Sequence, residues 1–346
     1  MALVSSGVVK RVLSAELPEN VFRDGKIENP DRVAEVIKQT LKAARLRPGY
    51  AALCISSEDA YIKHLEIPVM TQDQLKKNLP YEFSDYVEGT PDDYVFDYIT
   101  VELPEDDFLS QPGEANAEGE GEDGMQMEEI PMAPPVEDEE KYMKLLGVCA
   151  SKSFLNSMDE MMRKAGLKLI VVAPELSAYA ALIALRGGGV QIPSGEYAFV
   201  DIGYRCIKLF MFKYDTFMAS RELEWGIGDV ISGIAEEMGV DKPTARIYLE
   251  RNYMDCQTSE AAKSRFDQIS VELKRSLDFY SFSNPDSELQ DLWIVGGGSY
   301  IEPLQEQIMV ALDEFVIHSM NELLPEMIDE RAGNLYLKAA GIAMNQ

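Results

Sequence analysis

The sequence predicts an α/β protein, and three observations carry the prediction. Strand-length apolar runs and amphipathic helical stretches are interleaved from end to end of the 346 residues, the mixture expected where helices cover a sheet. In the second half "EYAFVDIG", "CIKLFMFKYD" and "TFMASRELEWG" form a strand meander. Beyond it, "DLWIVGGGSYIEPL" carries a buried strand directly through Gly296-Gly297-Gly298 into a helix.

The elements follow in order. "GVVKRVLSAEL" is read as a strand and "NPDRVAEVIKQTLKAARL" as an amphipathic helix capped near Asn29. "YAALCIS" and "AYIKHLEIP" are strands on either side of a Ser-Ser-Glu-Asp turn. Thr71 precedes Gln74 by three, the spacing of a capping box. Pro80 is expected to kink or divide the helix that follows. "DYVFDYITVEL" alternates as a strand does. "KYMKLLGVCAS" resumes the sheet, and "KSFLNSMDEMMRKAGL" is a helix stopped near Gly166. "LKLIVVAP" is a strand and "ELSAYAALIALRG" a helix. After the meander come the helices "IGDVISGIAEEMG", "KPTARIYLERNYM" and "AAKSRFDQISVELKRSLDFYSFSN". The strand of the glycine turn and the small-residue helix "NLYLKAAGIAM" close the chain.

The net charge of -28 is uneven: residues 102–140 hold fifteen carboxylates and no Lys or Arg. That Gly- and Pro-rich acidic stretch buries too little to fold and reads as a disordered tether. Clustered basic residues are what phosphate backbones require, so nucleic acid is excluded as a partner and direct docking on anionic lipid is disfavoured. Cys54, Cys149, Cys206 and Cys256 include no CxxC pair and read as reduced, mostly buried thiols. The start "MALVSSGVVKRVL" lacks the apolar core of a secretory signal. "LIVVAPELSAYAALIAL" contains Pro174 and Glu175 and is too polar to span a bilayer. A cytoplasmic protein brought to the membrane by a partner is therefore expected.

Some residues invite a functional reading and have a plainer one. His64 and His318 have no Cys or His at metal-ligand spacing, so zinc is not indicated. No Ser-His-Asp order with a nucleophile elbow is present. The aromatics of "LPYEFSDYV" are core residues or the wall of a groove. Glu272 and Arg275, three apart on one helix face, either reach a ligand beside the glycine turn or form a solvated charge stripe.

Taken in order and spacing, "FVDIG", "IVGGGSYIEPL" and "KAAGIAM" resemble the second phosphate loop, the adenosine loop and the closing helix of the actin-like ATPase superfamily. Within it, the chain is similar to the type IV pilus assembly protein PilM family, with FtsA proteins as the next relatives. "AALCISSEDAYIKHLEIPVMTQDQLKKNLPYEFSDYV" looks like the entry to the small SHS2-type domain that PilM and FtsA share. The resemblance implies a two-lobed, ribonuclease H-like fold. Its first lobe would be 1–50 and 167–192, with the inserted domain at 51–166. The second lobe would be 193–230 and 289–330, with a helical subdomain at 231–288 and the closing helix at 331–346.

The resemblance also implies a ligand set. ATP and Mg2+ would lie against Asp201, Gly203, Arg205, Gly226, Gly228, Glu272, Arg275, Gly296, Gly297, Gly298 and Ser299, with Asp201 on the metal side. Two departures weigh against efficient turnover. The family's first strand and Asp-x-Gly phosphate loop are not found, because the sequence starts at "MALVSSGVVKRVL". Tyr204, Arg205, Cys206 and Ile207 follow Gly203 where small residues and Thr are usual, although Arg205 is also a phosphate partner by chemistry. What is implied is an adaptor, at most a weak ATPase, with nucleotide binding weakened or lost. Its partner would be the cytoplasmic tail of a PilN-like inner-membrane protein, alongside other components of a pilus or type II secretion platform. Self-association stays open. The alternatives are an actin-fold small-molecule kinase, for which no catalytic Asp is evident in the first half, and an FtsA-like cytoskeletal protein, whose amphipathic membrane helix has no counterpart after "AAGIAMNQ".

Overall fold

The computed structural model describes the chain except residues 19–20, 24–25, 57–58, 102–141, 187–194, 215, 326–329 and 345–346. The acidic stretch 102–140 and its expected disorder therefore lie outside the described residues. In order, the elements are β1 (Ala2–Ser5), β2 (Val8–Val12), β3 (Phe22–Arg23), β4 (Lys26–Ile27), α1 (Pro30–Ala43), β5 (Tyr50–Ile55), β6 (Tyr61–Pro68), α2 (Gln72–Glu82), β7 (Tyr94–Thr100), β8 (Tyr142–Ser151), α3 (Lys152–Lys164), β9 (Lys168–Pro174) and α4 (Glu175–Arg186). The second half adds β10 (Glu196–Ile202), β11 (Ile207–Lys213), β12 (Thr216–Leu223), α5 (Ile227–Met238), α6 (Lys242–Arg251), α7 (Glu260–Ser283), β13 (Asp291–Val295), α8 (Glu302–Ala311), β14 (Val316–His318) and α9 (Glu330–Met344).

The second half is built on a five-stranded sheet in the order β12-β11-β10-β13-β14. The meander β10–β12 is antiparallel, and β10 runs parallel to β13 with Asp201 opposite Val295. Every residue of β10 and of β13 is buried, which explains their continuous rather than alternating apolar pattern. One face packs on α5, α7 and α8 through Val200, Val230, Phe266, Leu273 and Leu304. The other packs on α4 and α9 through Phe199, Trp293, Tyr179 and Leu337. Stacked rings reinforce that face, with Tyr179 and Phe199 centroids 4.3 Å apart.

The first half divides differently from the sequence reading. β5 and β6 do not pair with each other: β5 pairs in parallel with β9, and β6 with β8 in the three-stranded sheet β6-β8-β7. Tyr50–Ile55 thus belongs with the first lobe, and so does α3, whose Met158, Met161 and Met162 pack against Val33 and Ala34 of α1. Apart from Tyr50, both elements lie within the 51–166 span expected for the insertion; pairing across a long insertion leaves no local mark in sequence. The small domain proper is β6, α2, β7 and β8 around Phe83, Leu75 and Leu145. It touches the second lobe where the His64 imidazole stacks on Phe217 and lies 2.7 Å from its carbonyl oxygen.

Local signals behave as their chemistry dictates. Asn29 caps α1 and the Thr71/Gln74 capping box opens α2. Pro80 does not divide α2; it sits in the last turn, two residues before the helix ends at Glu82. The chain opens on a hairpin, β1 paired antiparallel with β2 across Ser6 and Gly7, both left-handed at φ 52° and 68°. A strand therefore precedes the one read from "GVVKRVL"; its turn carries Ser and Gly where an acidic Asp-x-Gly was sought.

Candidate functional site

Two loops meet where β10 and β13 end side by side. The Gly298 amide donates to the Ile202 carbonyl at 3.0 Å. Gly296 has φ +88°, and a Cβ there would collide with the Asp201 carboxylate and the Ile202 carbonyl. Glycine is required at 296 so that the two turns can interlock. A third turn, at the start of α5, closes on the same spot, its Ile227 amide donating to the Gly203 carbonyl at 3.0 Å and Gly228 to the Tyr204 carbonyl at 2.7 Å. The expected set Asp201, Gly203, Gly226, Gly228, Gly296, Gly297, Gly298 and Ser299 is thus assembled in one place.

Beside it opens a cavity of about 510 Å³ between the meander turn, α6 and the glycine turn, lined by Tyr204, Arg246, Arg251, Gly297, Tyr300 and Ile301 among others. Three of the expected residues, Glu272, Arg275 and Arg205, are not brought there. Glu272 and Arg275 pair with each other at 3.1 Å, Arg275 largely exposed, and they do not line the cavity; the helix-face spacing makes the solvated pair. Arg205 points toward Glu222 of β12 at 3.9 Å.

The floor of the cleft holds charges that the sequence reading did not single out. Lys338 of α9 lies 2.5 Å from Asp201 Oδ2 and 2.8 Å from Glu175 Oε1. Lys208 of β11 reaches Glu175 Oε2 at 2.7 Å and the Ser56 hydroxyl at 3.0 Å. The Tyr179 hydroxyl donates to Asp201 Oδ2 at 3.0 Å. Burial alone would raise the Glu175 carboxyl, but Lys338 and Lys208 hold it below the ordinary range. Burial would likewise lower the Lys338 ammonium, and the two carboxylates hold it above its usual value. The Cys54 thiol nearby is pushed up to about 12 by burial and by Glu175. In sequence the signal for this cluster is a cation flanked by apolar residues, Lys338 in "LYLKAAGIAM" and Lys208 in "CIKLF".

These contacts decide which parts of a metal–nucleotide complex fit. A divalent ion at Asp201 does not, because its Oδ2 already meets the Lys338 ammonium and the Tyr179 hydroxyl. The amides of Gly203, Gly226, Ile227, Gly228, Gly298 and Ser299 are engaged within the protein and are not offered to a phosphate. A nucleoside-sized body fits the cavity against Gly297 and the aromatic rings of Tyr204 and Tyr300.

Comparison with known proteins agrees with this architecture. The family model described as type IV pilus assembly protein PilM matches residues 130–345. No curated protein matches. Among solved structures, a PilM–PilN type IV pilus biogenesis complex aligns with TM-score 0.71 at 19% identity, covering 99% of this chain and 93% of that one. The ethanolamine utilization protein EutJ of Carboxydothermus hydrogenoformans (TM-score 0.42, 16% identity, 55% and 60% covered) and the archaeal actin homolog Ta0583 (0.38, 18%, 52% and 56%) are more distant. The fold is accordingly the α/β fold seen in that PilM–PilN complex, with its inserted domain. With more than half its length matched by one family model, the chain belongs to the type IV pilus assembly protein PilM family.

Proposed function

We propose that the chain is an adaptor of a type IV pilus assembly platform that binds the cytoplasmic tail of a PilN-like inner-membrane protein. The observation that carries this reading is the end-to-end likeness to a PilM in complex with PilN, which includes the small domain as well as both lobes. No helix among the described residues is long and apolar enough to cross a membrane, which agrees with recruitment through a partner. The tail would lie in the groove between the first lobe and the small domain, in the segment-in-groove manner. Tyr61 and Tyr86, half-exposed with ring centroids 5.8 Å apart and the Lys63 ammonium over Tyr86, would form its aromatic wall. The engaged amides and the ion pair of Asp201 with Lys338 support weakened nucleotide binding, so the adaptor would work without ATP turnover. Titrating the partner's tail peptide into the full chain by calorimetry tests this: saturable binding is expected, and no heat at high micromolar peptide overturns it.

A further inference from the structure

We propose that Lys338 is a built-in cation: it takes the position between two buried carboxylates, Asp201 and Glu175, that would otherwise bind a divalent metal ion, and so joins the two lobes without one. Asp201 is 5% exposed and Glu175 9%. Burying two carboxylate charges side by side is costly unless a counter-charge is buried with them. The Lys338 ammonium bridges them, and they lie no farther apart than the sum of its 2.5 and 2.8 Å contacts. Oxygen ligands at that separation suit a divalent ion, whose bonds to oxygen are about 2.0–2.6 Å long. The ion and the ammonium would occupy the same point.

The cluster is balanced as it stands. Lys208 supplies the second positive charge, against the far oxygen of Glu175; it also lies 4.0 Å from Glu222, which Arg205 faces in turn, so three cations meet three carboxylates. Its members come from α4, β10, β11 and α9, so the ammonium of the last helix ties the base of the first-lobe helix to the second-lobe sheet. The Lys338 backbone has little freedom to withdraw, because three residues on, Gly341 packs directly on the Ala178 carbonyl. Neither lysine lines the neighbouring cavity, and binding there owes nothing to a metal held by Asp201. This is independent of tail binding, which none of the following measurements reads.

The test is Mn2+ binding by the full chain, followed by electron paramagnetic resonance, with the cleft component identified as the part abolished by Asp201→Asn. An acidic surface will hold Mn2+ elsewhere, and that background is common to all variants. Wild type and Asp201→Asn should bind equally. Lys338→Ala should bind one additional Mn2+ per chain, and Lys338→Ala with Asp201→Asn should not. Should Lys338→Ala fail to fold, Lys338→Gln, which keeps the stem, replaces it. A Mn2+ ion in the wild type that Asp201→Asn removes overturns the proposal, and so does a folded Lys338 variant that gains none.

Discussion

The Lys338 ammonium sits 2.5 Å from the Asp201 carboxylate, joining the last helix of the chain to the end of the central strand of the second-lobe sheet. Removing one member of such a pair leaves the other buried and uncompensated, which typically costs about 3–5 kcal/mol. Lys338→Met should therefore lower unfolding stability by about 3 kcal/mol, read from urea denaturation. Pairing it with Asp201→Asn should recover part of that loss, because the stranded charge is then gone.

The same cluster sets an acid limit. Glu175 titrates below its ordinary value because Lys338 and Lys208 overcome its burial. Its contribution is fully present above pH 4.5, the ordinary carboxyl value, and is lost as pH falls from there through the depressed one. Melting temperature in Glu175→Gln should start lower and fall less steeply over that range than in wild type. Equal slopes would show that Glu175 does not carry the acid sensitivity.

A second window belongs to the joint between the small domain and the second lobe. Burial holds the His64 imidazole below its ordinary 6.5, with the Phe217 carbonyl opposing the shift. The neutral ring is the folded form, so the joint is at full strength above pH 6.5 and weakens as pH drops toward the depressed value. His64→Gln should flatten the stability profile there, in hydrogen exchange of β6 and β12 as well as in melting.

How much of this was legible beforehand follows the range of the interactions. The meander, the glycine turn and the Thr71 capping box are written in neighbouring residues, and the sequence sufficed for them. Asp201 and the glycines were placed together by motif order, and they do interlock. Lys338 was not foreseen, because its carboxylate partners are far away in sequence and its own surroundings read only as a small-residue helix. Glu175 drew notice solely as a residue too polar for a membrane span; its partners explain why a carboxylate sits inside. Glu272 and Arg275 show the converse: correct helix-face spacing, but on the side facing solvent.

The aromatics of "LPYEFSDYV" divide in a way that supplies a test of the groove. Phe83 is fully buried in the small-domain core, whereas Tyr81 and Tyr86 are 74% and 43% exposed. Tyr86→Ala should weaken the tail peptide about tenfold, the loss of roughly 1.4 kcal/mol typical of a useful aromatic contact, with melting temperature unchanged. Phe83→Ala should cost about 3–5 kcal/mol as a core truncation.

The thiols make a prediction of their own. Burial pushes Cys149 and Cys206 up to about 11, with Glu222 adding to the effect at Cys206, and Cys54 reaches about 12. Because the thiolate is the reactive form, iodoacetamide at neutral pH should label the folded chain slowly at all three and rapidly once urea unfolds it. Fast labelling of native Cys54 would mean that the cleft floor opens readily.

Gly341 has a larger consequence than its size conveys. A methyl group at that position would overlap the Ala178 carbonyl, so α4 and α9 cross backbone against backbone with no side chain as a cushion. Two rods in such contact cannot slide past each other. The crossing is thereby fixed as a rigid corner of the molecule, and a single added carbon at 341 would force the helices apart.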